Sequence, residues 1–185
     1  MRTKHVRRIS TPGAALFVAL LTLHPASAER GRGPSQPSGT VHTTRFPGMK
    51  VLQFAFGGDT HNPYLPHNFL DPNCVVYTGT HDNDTTRGWF ASAPESERGY
   101  AQEYLGSTGE RIAADLIRAA LQSTARTAIL PLQDVLDLGP QARMNVPGAT
   151  HGNWSWRVRA EQLDPPHAQC LVQLTRIYGR SQTDQ

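Results

Sequence analysis

The chain has 185 residues and contains no uninterrupted apolar run of the roughly 18 residues that a membrane-spanning helix requires. Two cysteines, Cys74 and Cys170, are too few to dictate a disulfide framework. They read as two ordinary, partly buried thiols rather than as a disulfide pair. There is no G-x-S-x-G nucleophile elbow, no G-x-x-x-x-G-K phosphate cradle and no G-x-G-x-x-G dinucleotide turn. Positive charge is scarce where a domain would need it. The net charge is +3, yet residues 1–45 hold seven Lys and Arg against the single acid Glu29. From residue 46 onward eleven Lys and Arg face fourteen acids, a net of −3. That distribution speaks against a nucleic-acid partner, and no helix-turn-helix or aromatic–basic pattern is present. Long uninterrupted elements are also excluded, because 16 Gly and 14 Pro punctuate the chain.

The first 45 residues stand apart. Arg2, Lys4, Arg7 and Arg8 precede the apolar stretch Ala14–Leu23, and Ala26-Ser27-Ala28 has the small residues of a cleavage site. Residues 1–28 therefore read as a secretory signal peptide or, with equal weight, as a fortuitous leader translated from a misplaced start or frame. Residues 29–45 are rich in Gly, Pro, Ser and Thr and read as a disordered linker. Residues 46–180 carry the patterned sequence, and 181–185 form a frayed tail.

Within 46–180, Lys50–Phe56 and Val75–Thr80 are rich in apolar or β-branched residues, and Ala128–Leu130 is a short apolar run; all three predict strands. A long loop with Gly, Asn, Asp and Pro, 57–72, separates the first two. A helix is predicted from Ser92 or Ala93 to Leu105, stopped by Gly106, and a second from a Thr108 cap onward. In the latter Ile112, Leu116 and Ala120 with Ile117 and Leu121 form one apolar stripe. Pro131–Leu138 predicts a short helical turn ended by Gly139, and Pro165 and Pro166 open a last amphipathic helix to Tyr178 with Gly179 as its stop. Strands alternating with helices predict an α/β fold with parallel pairing.

The densest chemistry follows the second strand, in Val75–Trp89 (VVYTGTHDNDTTRGW), where polarity inverts after Gly79. A calcium loop starting at Asp82 would need Gly at its sixth position and Glu at its twelfth. Arg87 and Ala93 stand there instead. His61, His67 and His81 contain no i, i+4 pair for zinc, so no metal is expected. Two readings remain. Asp82 and Asp84 cap a turn after a strand, as Asp and Asn commonly do. Alternatively, His81 and Asp82 grip vicinal sugar hydroxyls, a role that glycoside chemistry gives to groups beside the nucleophile and the acid/base. Trp89, Trp154, Trp156 and Tyr64 are either sugar-stacking faces or core residues.

Four ordered segments carry a resemblance: residues 46–69 (FPGMKVLQFAFGGDTHNPYLPHNF), 75–90 (VVYTGTHDNDTTRGWF), 129–157 (ILPLQDVLDLGPQARMNVPGATHGNWSWR) and 174–180 (LTRIYGR). They resemble the 4-α-glucanotransferase family (amylomaltase or disproportionating enzyme, glycoside hydrolase family 77), in its C-terminal part. The resemblance implies an incomplete C-terminal sector of a (β/α)8 TIM barrel and retaining transfer of α-1,4-glucan segments to glucose or a maltooligosaccharide, without a cofactor. It gives Asp82 the role of transition-state stabiliser, with His81 before it and Asn83 completing the motif. Asn145 matches a substrate contact after the eighth strand, and Asp59, Asn62, Tyr64 and His67 match the loop after the sixth. The family's nucleophile and acid/base lie upstream of the segment that begins at Phe46, and residues 1–45 do not resemble them. A polypeptide of this extent is expected to be inactive and poorly stable alone, with a missing barrel half as its partner. The family implies a cytoplasmic location, whereas a working signal would export the chain to the periplasm or beyond. The alternatives are an exported, non-catalytic glucan-binding protein and a decayed gene product.

Overall fold

Four short extended segments form one sheet in the computed structural model, which describes residues 18–22 and 46–181. They are β1 (Val18–Thr22), β2 (Gly48–Val51), β3 (Cys74–Tyr77) and β4 (Thr127–Pro131), in the order β1-β4-β3-β2. β2 pairs parallel with β3 from Gly48↔Cys74 to Val51↔Tyr77, and β3 pairs parallel with β4 from Val75↔Thr127 to Tyr77↔Ile129. Parallel neighbours need long crossovers. The β3–β4 crossover contains α1 (Thr86–Ser92), α2 (Glu95–Leu105) and α3 (Ile112–Gln122). After β4 come the single turn α4 (Leu132–Val135) and, near the end of the chain, α5 (Pro165–Ile177). β1 runs antiparallel to β4, from Val18↔Pro131 to Thr22↔Thr127. It lies inside the apolar stretch of the signal-like segment. The rest of residues 1–28 and the 29–45 stretch lie outside the described residues.

The helices cover one face of the sheet. Cys74 and Val76 of β3 and Ala128 and Leu130 of β4 are buried, while their neighbours in sequence are half-buried, the period-two signature of a two-faced sheet. The stripe of α3 (Ile112, Leu116, Ile117, Ala120 and Leu121) joins them in one core with Leu52, Phe56, Leu65 and Phe69. The opposite face, with Met49, Tyr77 and Ile129, opens into a cavity of about 280 Å³ at the strands' carboxyl ends. Arg180 closes the helical side. Its Nε donates to Leu121 O (2.6 Å), and one terminal nitrogen donates to Ser123 O and Ala125 O (both 2.9 Å). A cation at the end of α3 meets carbonyls that the helix cannot satisfy. Burial lowers the pKa of this guanidinium. Both cysteines are free, Cys74 buried and Cys170 exposed. No helix among the described residues is long and apolar enough to cross a membrane.

Several boundaries differ from those read in the sequence. The first strand ends at Val51, not Phe56, and Leu52–Phe54 continue as a 3-10 turn. Leu52, Ala55 and Phe56 are buried all the same, and a short apolar run reports burial without distinguishing strand from turn. The second strand stops at Tyr77, three residues before Thr80. A further helix, α1, precedes the predicted start at Ser92 or Ala93: Thr85 Oγ1 accepts from Gly88 N (3.1 Å) and caps it. α3 begins at Ile112, because Gly109, at φ +85°, breaks the path from Thr108. The helical turn after β4 covers only Leu132–Val135, and Asp137 at φ +52° ends it before Gly139.

Because Leu116 is fully buried between α3 and the sheet, its replacement by Ala should cost about 2–5 kcal/mol. Urea unfolding followed by far-UV circular dichroism measures this. A loss under about 1 kcal/mol would show that the core can collapse around the gap.

Candidate functional site

Parallel strands deliver their carboxyl ends to one edge, so the segments after β2, β3 and β4 converge there. The segment after β3 is pinned at both ends by one side chain. Asp134 of α4 accepts from Thr78 Oγ1 (2.5 Å), from Thr86 N (2.7 Å) and from Thr86 Oγ1 (2.8 Å). Asp134 is only 3% exposed. Burial pushes its pKa up, and the three hydrogen bonds oppose that rise.

Between those anchors the loop is shaped by short polar contacts. Asn83 Oδ1 accepts from Thr80 N (2.9 Å) and Thr80 Oγ1 (2.7 Å), closing a turn on its own backbone. Gln53 Nε2 donates to Asp84 O (3.0 Å) and tethers the loop to the segment after β2. Two glycines make room. A Cβ at Gly79 would lie 2.6 Å from Gln53 Nε2, and one at Gly88 would lie 2.4 Å from Asp84 Oδ1.

His81 and Asp82 occupy the crest of this turn, each about half exposed. His81 Nε2 lies 3.3 Å from Asp82 Oδ1. The same oxygen accepts from Asn145 Nδ2 at 2.6 Å, across 63 residues of sequence. Among the described residues Asp82 Oδ2 has no hydrogen-bond partner. The segment after β4 meets the crest through backbone as well: Asn145 N donates to His81 O (3.1 Å), and Arg143 donates to Asp82 O (2.8 Å). Trp154 packs on His81 with ring centroids 5.1 Å apart. Its φ of +58° is a conformation that a non-glycine residue holds at a cost of roughly 1–3 kcal/mol. The hydrogen bond from Trp154 N to Met144 O (2.7 Å) helps to hold it.

The other residues singled out in the sequence are placed elsewhere. Asp59 Oδ1 accepts from His61 N (2.9 Å), and Asn62 bonds Tyr64 N and Phe54 O (both 2.9 Å), so both shape the loop after β2. Tyr64 packs edge-on against Phe54, with Lys50 over its ring. His67 Nδ1 pairs with the Tyr104 hydroxyl of α2 (2.9 Å), on the helical side. None of these four shares a hydrogen bond or ring contact with the Asp82 group. Trp89 is half-buried against the core, packs on Phe56 and donates Nε1–H to Glu97. Sequence reasoning missed Arg143, Asp134 and Gln53. Their types are ordinary and their partners are distant, so no local pattern marks them.

The chain matches the family model for 4-alpha-glucanotransferase over residues 31–163. A 4-alpha-glucanotransferase from Synechocystis sp. is 52% identical over 136 residues, covering 73% of this chain and 27% of the relative. One from Thermus thermophilus is 43% identical over 173 residues, covering 87% of this chain and 34% of the relative. The family likeness therefore begins at residue 31, upstream of the first resembling segment at Phe46. Among solved structures, an amylomaltase from Streptococcus agalactiae in complex with acarbose aligns with a TM-score of 0.70 and 37% identity, over 74% of this chain and 28% of that one. The chain thus spans about a quarter to a third of the length of these relatives.

Asp134→Ala leaves three buried donors without an acceptor and should cost about 2–4 kcal/mol in urea unfolding. The pH dependence carries a sign. A carboxyl whose pKa is raised by folding contributes most below the ordinary carboxylate range, and that contribution is lost as pH rises through the native pKa. The stability of the unaltered chain relative to Asp134→Asn should therefore fall over the range of rising pH that begins at the ordinary carboxylate pKa. A difference that is flat or rises over this range overturns the assignment.

Proposed function

The chain belongs to the 4-alpha-glucanotransferase family, glycoside hydrolase family 77, and on that premise we propose that it carries the charge-stabilising part of an α-1,4-glucan transfer site. The three parallel strands with their helical crossover are read as a C-terminal sector of a (β/α)8 barrel, whose site lies at the strands' carboxyl ends. The observation that carries the functional reading is the asymmetry of Asp82. One oxygen is held by Asn145 and His81, and the other is free at a half-exposed position. A carboxylate held in that way is pre-oriented to accept from a sugar hydroxyl. It also presents fixed negative charge to the oxocarbenium-like centre of a retaining transfer, where such contacts strengthen in the transition state. Asn145 and His81 serve as the neighbouring hydroxyl contacts, and Trp154 offers a ring face beside them.

The remaining carboxylates around the cavity are already engaged. Asp134 is buried under Thr78 and Thr86. Asp84 accepts from Thr85 N (2.7 Å) and faces Arg143 at 3.9 Å. Neither is placed as a nucleophile or an acid/base. Those two groups are assigned to other parts of the transferase, outside the described residues. Substrates of this reading are α-1,4-linked glucans and maltooligosaccharides, in keeping with the acarbose held by the streptococcal relative.

Calorimetric titration of the 185-residue chain with acarbose should give saturable binding. Asp82→Ala should weaken it about tenfold or more, the cost of one hydrogen bond to a charged group. Affinity unchanged in Asp82→Ala would remove Asp82 from the site, and a chain with no affinity for acarbose would overturn the reading. Incubation with maltotriose should release no glucose above that from Asp82→Asn, and clear turnover by the chain alone would refute the placement of nucleophile and acid/base elsewhere.

A further inference from the structure

We propose that Arg143 is the positioning residue of this site: its guanidinium sets the distance between the backbones of Asp82 and Asn145, so that their side chains meet. Nε donates to Asn145 O (2.8 Å), and one terminal nitrogen donates to Asp82 O (2.8 Å). The other terminal nitrogen lies 3.9 Å from Asp84 Oδ2. The residues whose carbonyls Arg143 grips are the same two whose side chains bond each other at 2.6 Å. One planar group therefore closes a ring through both loops, main chain on one side and side chains on the other. The arrangement demands a rigid fork of donors, which Arg has and Lys lacks. The Arg143 side chain is 27% exposed, so its position at the cavity wall is fixed while water screens it only partly.

The alternative roles fit less well. As a direct substrate contact, Arg143 could use only the three N–H groups left over, in an orientation already set by the two carbonyls that its Nε and one terminal nitrogen hold. As a simple ion-pair partner of Asp84, it would approach that carboxylate more closely than 3.9 Å. The assignment rests on the reading of Asp82 and Asn145 as glucan contacts only for its effect on binding. The geometry it enforces can be read without a ligand.

Two measurements on the full chain test it. In NMR spectra, the Asn145 side-chain amide should show one proton shifted and slowly exchanging, the mark of its bond to Asp82. In Arg143→Lys that proton should return to the position and exchange rate of a free amide, whereas in Arg87→Lys, at the exposed contact with Asp137, it should stay put. An Asn145 amide unmoved in a folded Arg143→Lys chain overturns the proposal. Should that variant fail to fold, the Arg143 Nε–H of the unaltered chain decides. Slow exchange there supports the clamp, and exchange as fast as in free arginine overturns it. The second measurement is a double-mutant cycle on acarbose affinity. Arg143→Lys should weaken binding about tenfold, and Asn145→Ala should then add little, because Asn145 is already misplaced. A full Asn145→Ala effect in the Arg143→Lys background overturns the proposal. If the unaltered chain does not bind acarbose, the functional reading falls, and the amide measurement still decides the role of Arg143.

Discussion

The buried carboxylate of Asp134 is the constraint on which the site depends. It receives hydrogen bonds from Thr78, at the end of β3, and from Thr86, at the start of α1. The polar cluster from Thr80 to Asp84 lies between those two threonines. Among the described residues no cation pairs with Asp134, and its burial is offset by the three oriented donors. That makes the junction of β3, α1 and α4 rigid or not formed at all, because a carboxylate so placed tolerates no partial satisfaction. Asp134 itself follows β4 by three residues. The carboxyl ends of two parallel strands are thereby tied together by one side chain.

On that base, the two loops divide their side chains between shaping and display. Asn83 and Asp84 turn back on the protein and fix the course of the chain. His81 and Asp82, one step earlier, face outward at the crest. The loop after β4 answers with Asn145, Arg143 and Trp154, and the strained φ of Trp154 is held by its contact to Met144 O. Strain of this kind persists only where surrounding contacts overdetermine it. The helical face has a parallel device in Arg180, whose donors gather three carbonyls around the end of α3 and the approach to β4. Both ends of the sheet are thus held by arginine–carbonyl contacts. These do not depend on a second charge.

What could be read from residues alone was local in origin. The β-branched run of β3, the apolar stripe of α3 and the glycines that stop α2 and α5 are short-range patterns, and they fall at or near their predicted places. The polar cluster from His81 to Asp84 was visible as composition, and the ordered motifs identified the family. The overextended first strand and the missing α1 share one cause. Apolar runs report burial, and a cap such as Thr85 is recognised only when its own hydrogen bond is seen.

By itself, then, the sequence determined the alternation of strands and helices, the location of the polar cluster after β3 and membership of the glucanotransferase family. The tertiary structure decided which members of the cluster face outward. It returned Asn83 to its own turn, set Asp59 and Asn62 to shaping the loop after β2, and turned His67 toward Tyr104. It also brought Asn145 to Asp82 and placed Arg143 and Asp134 beneath them. The physical reason is the range of the interactions. Periodicity and capping act within a turn or two of chain. The hydrogen bonds that tie the two loops of this site together join residues 48 to 64 positions apart and exist only once parallel strands have set the loops side by side.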